Sequence, residues 1–237
     1  MKTIPKILGI IPARGGSKGV PNKNIKKLNG KPLIQYTSEI ALKSKYLNRV
    51  IVSTDDANIA EISKLVGVEV PFMRPDNLAQ DTSPTLPVIK HALNFYKNLG
   101  IEFDAVCLLQ VTSPIRTLDF LNNCLGKFIE SDLDSLISVL DVPHHLNPHW
   151  TFKENVHGNL SISTGEKNII SRRQDLPNAY YRDGSVYLTK TEVILNQNSL
   201  YGDKIGYFVN PTKDNVNIDT LEDWQNAEII FRQKDEN

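Results

Sequence analysis

The sequence predicts an α/β protein in which a mostly parallel sheet is covered by helices on both faces. Three observations predict it. Short apolar runs rich in β-branched residues alternate along the chain with longer segments of helical period. Those runs are apolar throughout, as strands buried on both faces of a parallel sheet are. The chain has 237 residues, 40% hydrophobic and 23% charged, a composition suited to a globular protein that buries its core without covalent staples.

Ile7-Leu8-Gly9-Ile10-Ile11 reads as the first buried strand. After Pro32, the residues Leu33, Ile34, Ile40 and Ala41 mark a helix that ends before a second strand, Val50-Ile51-Val52-Ser53. Ile59, Ile62 and Leu65 with Val66 mark the next helix. Leu86, Ile89, Leu93 and Tyr96 recur at spacings of 3, 4 and 3, one face of another. Residues 105–109 read as a strand, 118–129 as a helix and 136–140 as a strand. The rhythm breaks between Asp141 and Arg182, where Pro143, Pro148, Pro177 and four of the five histidines lie. A loop of that length is uncommon inside a compact domain. The sequence therefore predicts a single domain over 1–237 carrying residues 141–182 as an arm or lid with short strands of its own. Order resumes with strands at 184–188 and 205–209 and a last helix over about 220–232.

Composition narrows function by exclusion. Lys plus Arg and Asp plus Glu are 27 each, so the formal charge is zero and no polyanion is attracted by the molecule as a whole. Neither nucleic acid nor a membrane surface is an expected partner. Cys107 and Cys124 have no CxxC or metal-ligand spacing, and Cys107 reads as a core residue and not a nucleophile. No apolar run reaches the roughly 20 residues of a membrane helix. The apolar stretch at 7–11 is shorter than the ~7 residues of a minimal signal-peptide core, so a cytoplasmic location is expected.

The strongest local signal is Ile11-Pro12-Ala13-Arg14-Gly15-Gly16-Ser17-Lys18-Gly19-Val20-Pro21-Asn22-Lys23-Asn24. It follows the first strand, at the carboxyl end where open α/β sheets bind ligands. Its glycines let backbone N–H groups approach an anion closely. Between Ala13 and Ser38 stand Arg14, Lys18, Lys23, Lys26, Lys27 and Lys31 and no acidic residue, a local positive field suited to a triphosphate. The competing reading is a flexible glycine loop followed by a solvated lysine face. The residues fit neither the P-loop nor the dinucleotide GxGxxG pattern, so a P-loop kinase and a dehydrogenase are excluded.

These residues resemble the signature of the cytidylyltransferases that activate nonulosonic acids, the CMP-N-acylneuraminate (CMP-sialic acid) synthetases and their relatives for legionaminic and pseudaminic acids. The likeness continues through Asn29-Gly30-Lys31-Pro32-Leu33, Val52-Ser53-Thr54-Asp55, Arg74-Pro75 with Asp81-Thr82, and Leu109-Gln110-Val111-Thr112-Ser113-Pro114-Ile115-Arg116. It resumes at Arg173-Gln174 and Gly184-Ser185-Val186-Tyr187 and ends in Ile218-Asp219-Thr220-Leu221-Glu222-Asp223-Trp224. The resemblance implies a Rossmann-like nucleotidyltransferase fold, CTP as co-substrate, a divalent ion such as Mg²⁺, and a homodimer joined through an extended arm. It implies that Arg14, Lys18 and Lys23 contact the triphosphate, with Asn24 beside them and Ala13 and the Gly15, Gly16 and Ser17 backbone around the nucleotide. It places Gln110, Ser113, Arg173 and Tyr187 toward the sugar acid, and Asp219 in a metal pair. Where many members of that family read Asp-Ile-Asp, this chain reads Asn217-Ile218-Asp219. An Asn carbonyl still suits a hard cation but brings no charge, so weaker metal binding is expected. The implied reaction is attack of a sugar-acid anomeric hydroxyl on the α-phosphorus of CTP with loss of pyrophosphate. Neighbouring alternatives are a cytidylyltransferase for a 3-deoxy-octulosonate sugar and a nucleotide-binding regulator without catalysis.

Several residues carry a second reading. Asp219-Thr220-Leu221-Glu222 has the spacing of a capping box in front of the last helix, which competes with the metal role of Asp219. Arg172-Arg173 with Tyr180, Tyr181 and Arg182 suits a carboxylate by bidentate pairing, or an arm packed on a partner subunit. His144, His145 and His149 invite a zinc site, but Pro148 disfavours a helix there and no cysteine or carboxylate completes the set. Asp55-Asp56 reads as a strand-to-helix turn with capping in preference to a metal pair.

Overall fold

The computed structural model describes residues 4–211 and 215–235. The first three residues of the N-terminal stretch weighed against a signal peptide lie outside that description. The chain divides into two compact units, Met1–Ser138 with Asp183–Asn237, and Val139–Arg182. In chain order the elements of the first unit begin with β1 (Ile7–Pro12), the short pair β2 (Lys27–Leu28) and β3 (Lys31–Pro32), and α1 (Leu33–Lys43). They continue with β4 (Arg49–Ser53), α2 (Ala57–Leu65), α3 (Thr85–Asn98), β5 (Ala105–Leu108) and α4 (Leu118–Glu130). The chain enters the second unit within β6 (Ser135–Asp141), makes β7 (Phe152–Glu154) and β8 (Leu160–Ile162) there, and returns within β9 (Tyr180–Lys190). The segments α5 (Thr191–Asn196), β10 (Ile205–Val209) and α6 (Leu221–Asp235) complete the chain.

Among the described residues six strands form the main sheet, in the order β10-β6-β9-β5-β1-β4. β1 pairs in parallel with β4 on one side and β5 on the other, with Ile10 opposite both Ile51 and Leu108. The chain therefore steps outward from β1 to β4 and then crosses back over β1 to β5. That reversal opens a crevice at the carboxyl end of β1, where open α/β sheets seat ligands. β9 runs antiparallel to β5, with Tyr187 opposite Leu108.

Alternation along the strands sorts their side chains into two cores. Ile7, Ile11, Val50, Val52, Ala105 and Cys107 face one layer, which packs on α1, α4 and the Trp224–Ala227 stretch of α6. Leu8, Ile10, Ile51, Val106 and Leu108 face the other, against Ile89, Ala92, Leu93 and Tyr96 of α3 and Ile194 of α5. Both faces are covered, which explains why the strands read as unbroken apolar runs. Leu65 departs from the helical face assigned to it and is 81% exposed. It lies six residues past Ile59, about 240° round the helix at 3.6 residues per turn, and so points away from the sheet.

The second unit is built on the β7–β8 hairpin, with Phe152 opposite Ile162 and Glu154 opposite Leu160. Trp150 donates its indole N–H to the Ile170 carbonyl at 2.6 Å, and His149 pairs with Glu166 at 2.6 Å. Leu146, Phe152, Val156, Leu160 and Ile169 are all exposed.

Candidate functional site

The Gly-rich turn begins where β1 ends. The Ala13 N–H donates to the Ser53 carbonyl at 3.0 Å, fastening the start of the turn to the end of β4. The Gly15 N–H donates to Asp55 Oδ1 at 3.0 Å, and Asn24 spends its amide N–H on the Arg14 carbonyl at 2.8 Å. Asn24 is buried, so it holds the turn from behind. Asp56 caps α2 by accepting from the Asn58 and Ile59 N–H groups at 2.8 and 3.0 Å. The two adjacent aspartates thus divide between bracing the turn and starting a helix.

The cations of the turn point in two directions. Arg14 pairs with Asp81 at 2.5 Å, and Lys18 pairs with the second oxygen of the same carboxylate. Lys18 and Arg14 together hold the Asp81 carboxyl below the ordinary carboxylate range. A cavity of about 400 Å³ opens there, lined by Arg14, Gly15, Gly16, Asp55, Gln80 and Asp81 among others. Lys23 reaches away from it, donating to the Ile218 carbonyl at 2.6 Å and pairing with Asp219 Oδ1 at 3.1 Å. The other three lysines of the run do not join this group. Lys26 stands 4.4 Å over the Trp224 ring, Lys31 pairs with Glu39 at 3.3 Å, and Lys27 is exposed on β2. The six-residue positive run therefore divides: Arg14 and Lys18 meet at Asp81, Lys23 reaches Asp219, and the other three lysines are used elsewhere.

Gly19 explains how residues almost 200 positions apart meet. A methyl group added to it would stand 2.0 Å from the Asp219 carbonyl oxygen, so the two backbones are in direct contact and only glycine fits. That contact brings Asp219 to Lys23. Asn217 Nδ2 donates to Asp219 Oδ2 at 2.8 Å, so each oxygen of this exposed carboxylate has a donor.

The capping box lies one residue later than the sequence reading placed it. Leu221 is the first residue of α6, so Thr220 is the cap and Asp223 its reciprocal partner. Thr220 Oγ1 accepts from the Asp223 N–H at 3.1 Å, and Asp223 Oδ2 accepts from the Thr220 N–H at 2.8 Å and the Asp219 N–H at 3.0 Å. Asp219 contributes its N–H to this box while its carboxylate faces Lys23. Two overlapping acid-bearing frames one residue apart made the spacing ambiguous. Asp219 supplies hard carboxylate oxygens of the kind a divalent cation takes, whereas Asn217 turns its Nδ2 to Asp219 and its Oδ1 toward Gly184, so its oxygen would join them once the amide turns over. Among the described residues no group of three or more His, Cys, Asp or Glu is arranged to hold a metal ion. A cation here would therefore complete its shell with water and phosphate oxygens, as Mg²⁺ commonly does.

A second convergence lies at Gly184, in β9 with φ +79°. A methyl there would be 3.0 Å from Gln110 Oε1, 3.4 Å from Ser113 Oγ and 3.7 Å from Asn217 Oδ1. Three of the residues singled out from sequence therefore meet over a glycine whose backbone favours no other residue. Ser113 Oγ is buried and has no hydrogen-bond partner among the described residues. Tyr187 lies three residues further along the same strand, with its ring in the α3-side core. Arg173 belongs to the second unit, on a single exposed turn, Arg173–Asp175, where Arg172 pairs with Asp175 at 2.7 Å. Cys107 is a core residue, as read, and burial pushes its thiol up to about 12.

Two arginines within the sequence motifs, Arg74 and Arg116, are buried and brace the backbone. Arg74 donates Nε to Ser53 Oγ at 3.1 Å and Nη2 to the Ser53 carbonyl. Burial lowers its pKa to about 10, opposed by Asp55 and reinforced by Arg14. Arg116, 3% exposed, donates to the carbonyls of Gln110 and Ser185 and to Thr37. The available signal was a lone Arg inside an otherwise apolar or small-residue stretch, a residue type almost never buried without partners.

A profile of the family described as cytidylyltransferase matches residues 8–227. A pseudaminic acid cytidylyltransferase of Campylobacter jejuni is 34% identical over 96% of this chain and 97% of its own. A CMP-N,N'-diacetyllegionaminic acid synthase of Legionella pneumophila is 32% identical over 98% of both. Among solved structures, a CMP:2-keto-3-deoxy-manno-octonic acid synthetase complexed with CTP superposes with a TM-score of 0.72 at 19% identity, covering 97% of this chain and 99% of that one. At that identity the likeness is one of fold.

Proposed function

The chain belongs to the cytidylyltransferase family, and from that premise we propose that it joins CTP to a nonulosonic acid, releasing pyrophosphate. The anomeric hydroxyl oxygen of the sugar acid forms a bond to the α-phosphorus, the bond from that phosphorus to the bridging oxygen breaks, and the hydroxyl proton is lost. Two anions must meet, so the protein's work is positioning and charge neutralisation. Arg14 and Lys18, now shared by Asp81, take the phosphate oxygens, with the N–H groups of Gly15, Gly16 and Ser17 around them. Lys23 supports the leaving pyrophosphate. Asp219, with the amide oxygen of Asn217, would hold a divalent cation such as Mg²⁺. Bound there, that ion supplies further positive charge to the phosphates. Gln110 and Ser113, beside Gly184, meet the sugar acid; Tyr187 supports that strand from the core, and Arg173, in the second unit, offers a guanidinium suited to a carboxylate.

The single observation that carries this reading is the Gly19–Asp219 backbone contact, which joins the cationic turn to the acidic segment. The two curated relatives favour a nonulosonic acid over an octulosonate. Residues 139–182, with their exposed apolar side chains, serve as the arm of a homodimer, and the enzyme works in the cytoplasm on small molecules alone. The test is pyrophosphate release from CTP and Mg²⁺ across a panel of pseudaminic, legionaminic, N-acetylneuraminic and octulosonic acids. Release with at least one nonulosonic acid and none with the octulosonate is expected. CTP binding without release under any acid would instead mark a regulator.

A further inference from the structure

The buried charges beside Gly184 lie outside the chemistry just assigned. Arg116 donates Nε to the Ser185 carbonyl at 3.1 Å and Nη2 to the same oxygen at 2.5 Å. Its Nη2 also donates to the Gln110 carbonyl at 3.2 Å, and Nη1 to Thr37 Oγ1 at 3.3 Å. One planar guanidinium therefore joins three segments: the loop after β5 that carries Gln110 and Ser113, the β9 residue next to Gly184, and Thr37 of α1. On the other flank of that glycine Asp183 is also buried, 4% exposed. Its carboxylate accepts from the Ser185 N–H at 2.9 Å, from Asn210 Nδ2 at 2.7 Å and from Ser138 Oγ. Ser185 thus offers its N–H to the anion and its carbonyl to the cation, and a single residue's peptide groups link the two charges.

We infer that Arg116 and Asp183 are positioning residues, a buried charged brace that sets the distance between the Gln110 side chain and the Gly184 backbone where the sugar acid is received. The inference rests on the proposed pocket at Gly184. Its physical logic is that an arginine fork fixes direction as well as charge, which a lysine cannot reproduce. Breaking one arm of a buried charged network leaves carbonyls without donors, and the segments that carry them shift. Positioning errors of that order act first on the reacting partner held there, and reach the phosphate turn only in attenuated form, through Asn217 and Asp219.

The test is a double-mutant cycle on the purified full chain, reading KM for the sugar acid and for CTP separately. Gln110→Ala is expected to raise the sugar-acid KM. Arg116→Lys is expected to raise the same KM by about tenfold and the CTP KM by less than about twofold. If Arg116 acts through Gln110, adding Arg116→Lys to Gln110→Ala changes the sugar-acid KM little further. Equal losses for both substrates, or effects that simply multiply, would overturn the brace while leaving the pocket standing. No effect of Gln110→Ala on the sugar-acid KM would overturn the pocket, and the brace with it. Should Arg116→Lys fail to fold, Thr37→Val removes the hydroxyl that accepts from Nη1 and donates to the Gln110 carbonyl at 3.5 Å, while the guanidinium keeps its own bonds to the Gln110 and Ser185 carbonyls, and the same substrate-selective, non-additive pattern at smaller amplitude is expected. Its absence there would sink the inference.

Discussion

Gly19 and Lys23 carry the argument at the residue scale. The space beside Gly19 is filled by the Asp219 carbonyl, so Gly19→Ala must push the 217–220 segment away. Forcing a methyl into such a contact costs typically about 1–3 kcal/mol. A melting temperature lowered accordingly, together with a lowered kcat, is expected; unchanged values in both would show the contact to be dispensable. Lys23 pairs with the exposed Asp219 carboxylate and donates to one carbonyl, that of Ile218, so its removal returns the carboxylate to solvent and leaves a single carbonyl without this donor. Lys23→Ala should therefore keep the fold by circular dichroism and lose about a hundredfold or more in kcat, as loss of transition-state charge stabilisation does. Near-normal turnover would contradict its role at the leaving pyrophosphate. Both residues were visible in the sequence as parts of a glycine-rich basic turn. That Gly19 faces a backbone from the far end of the chain was not visible, because no local pattern records a contact across 200 positions.

The helix start at α6 separates two roles at the scale of an element. Thr220 and Asp223 close the capping box, whereas the Asp219 carboxylate looks toward Lys23 and Asn217. Thr220→Ala should cost about 1 kcal/mol of stability, measured by denaturant unfolding, with Mg²⁺-dependent turnover close to normal. Asp219→Asn should show the reverse, and equal stability losses in the two variants would return Asp219 to a capping role. The box also sets a pH dependence. Hydrogen bonds from the Asp219 and Thr220 N–H groups and the Thr220 hydroxyl hold the Asp223 carboxyl below its ordinary value. Its stabilisation is therefore present above the unfolded carboxylate pKa and is lost as pH falls through the lower folded value. Melting curves of the native chain and Asp223→Asn should differ at neutral pH and draw together as pH falls below the ordinary carboxylate range. A constant gap across that range would exclude Asp223 as the titrating group. The elements themselves were legible where they repeat: α3 from Leu86, Ile89, Leu93 and Tyr96, and β10 to its exact ends. The β2–β3 pair and α5 were not, since two or six residues hold too few periods to signal.

A molecule of zero formal charge can still carry a local positive field: Arg14, Lys18 and Lys23 stand on one turn after β1, each facing a single carboxylate, Asp81 or Asp219. At this largest scale the second unit offers its own test. Phe152, Val156 and Leu160 on and beside the β7–β8 hairpin are exposed, a surface unsuited to open solvent. If residues 139–182 form the arm of a homodimer, Leu160→Asp should shift the sedimentation coefficient of the full chain from dimer to monomer. A dimer unaffected by that change and by Val156→Asp would place the interface elsewhere. The order of strands and helices, the covered sheet and the phosphate-suited turn all followed from composition and period, because each depends on neighbours within a few residues. The antiparallel entry of β9, the Gly19–Asp219 contact, the shift of the cap to Thr220 and the sharing of Arg116 between two carbonyls arose only on folding. Each of those joins distant segments through backbone approach or buried polar pairing, and such closeness is settled by the packing of the whole chain.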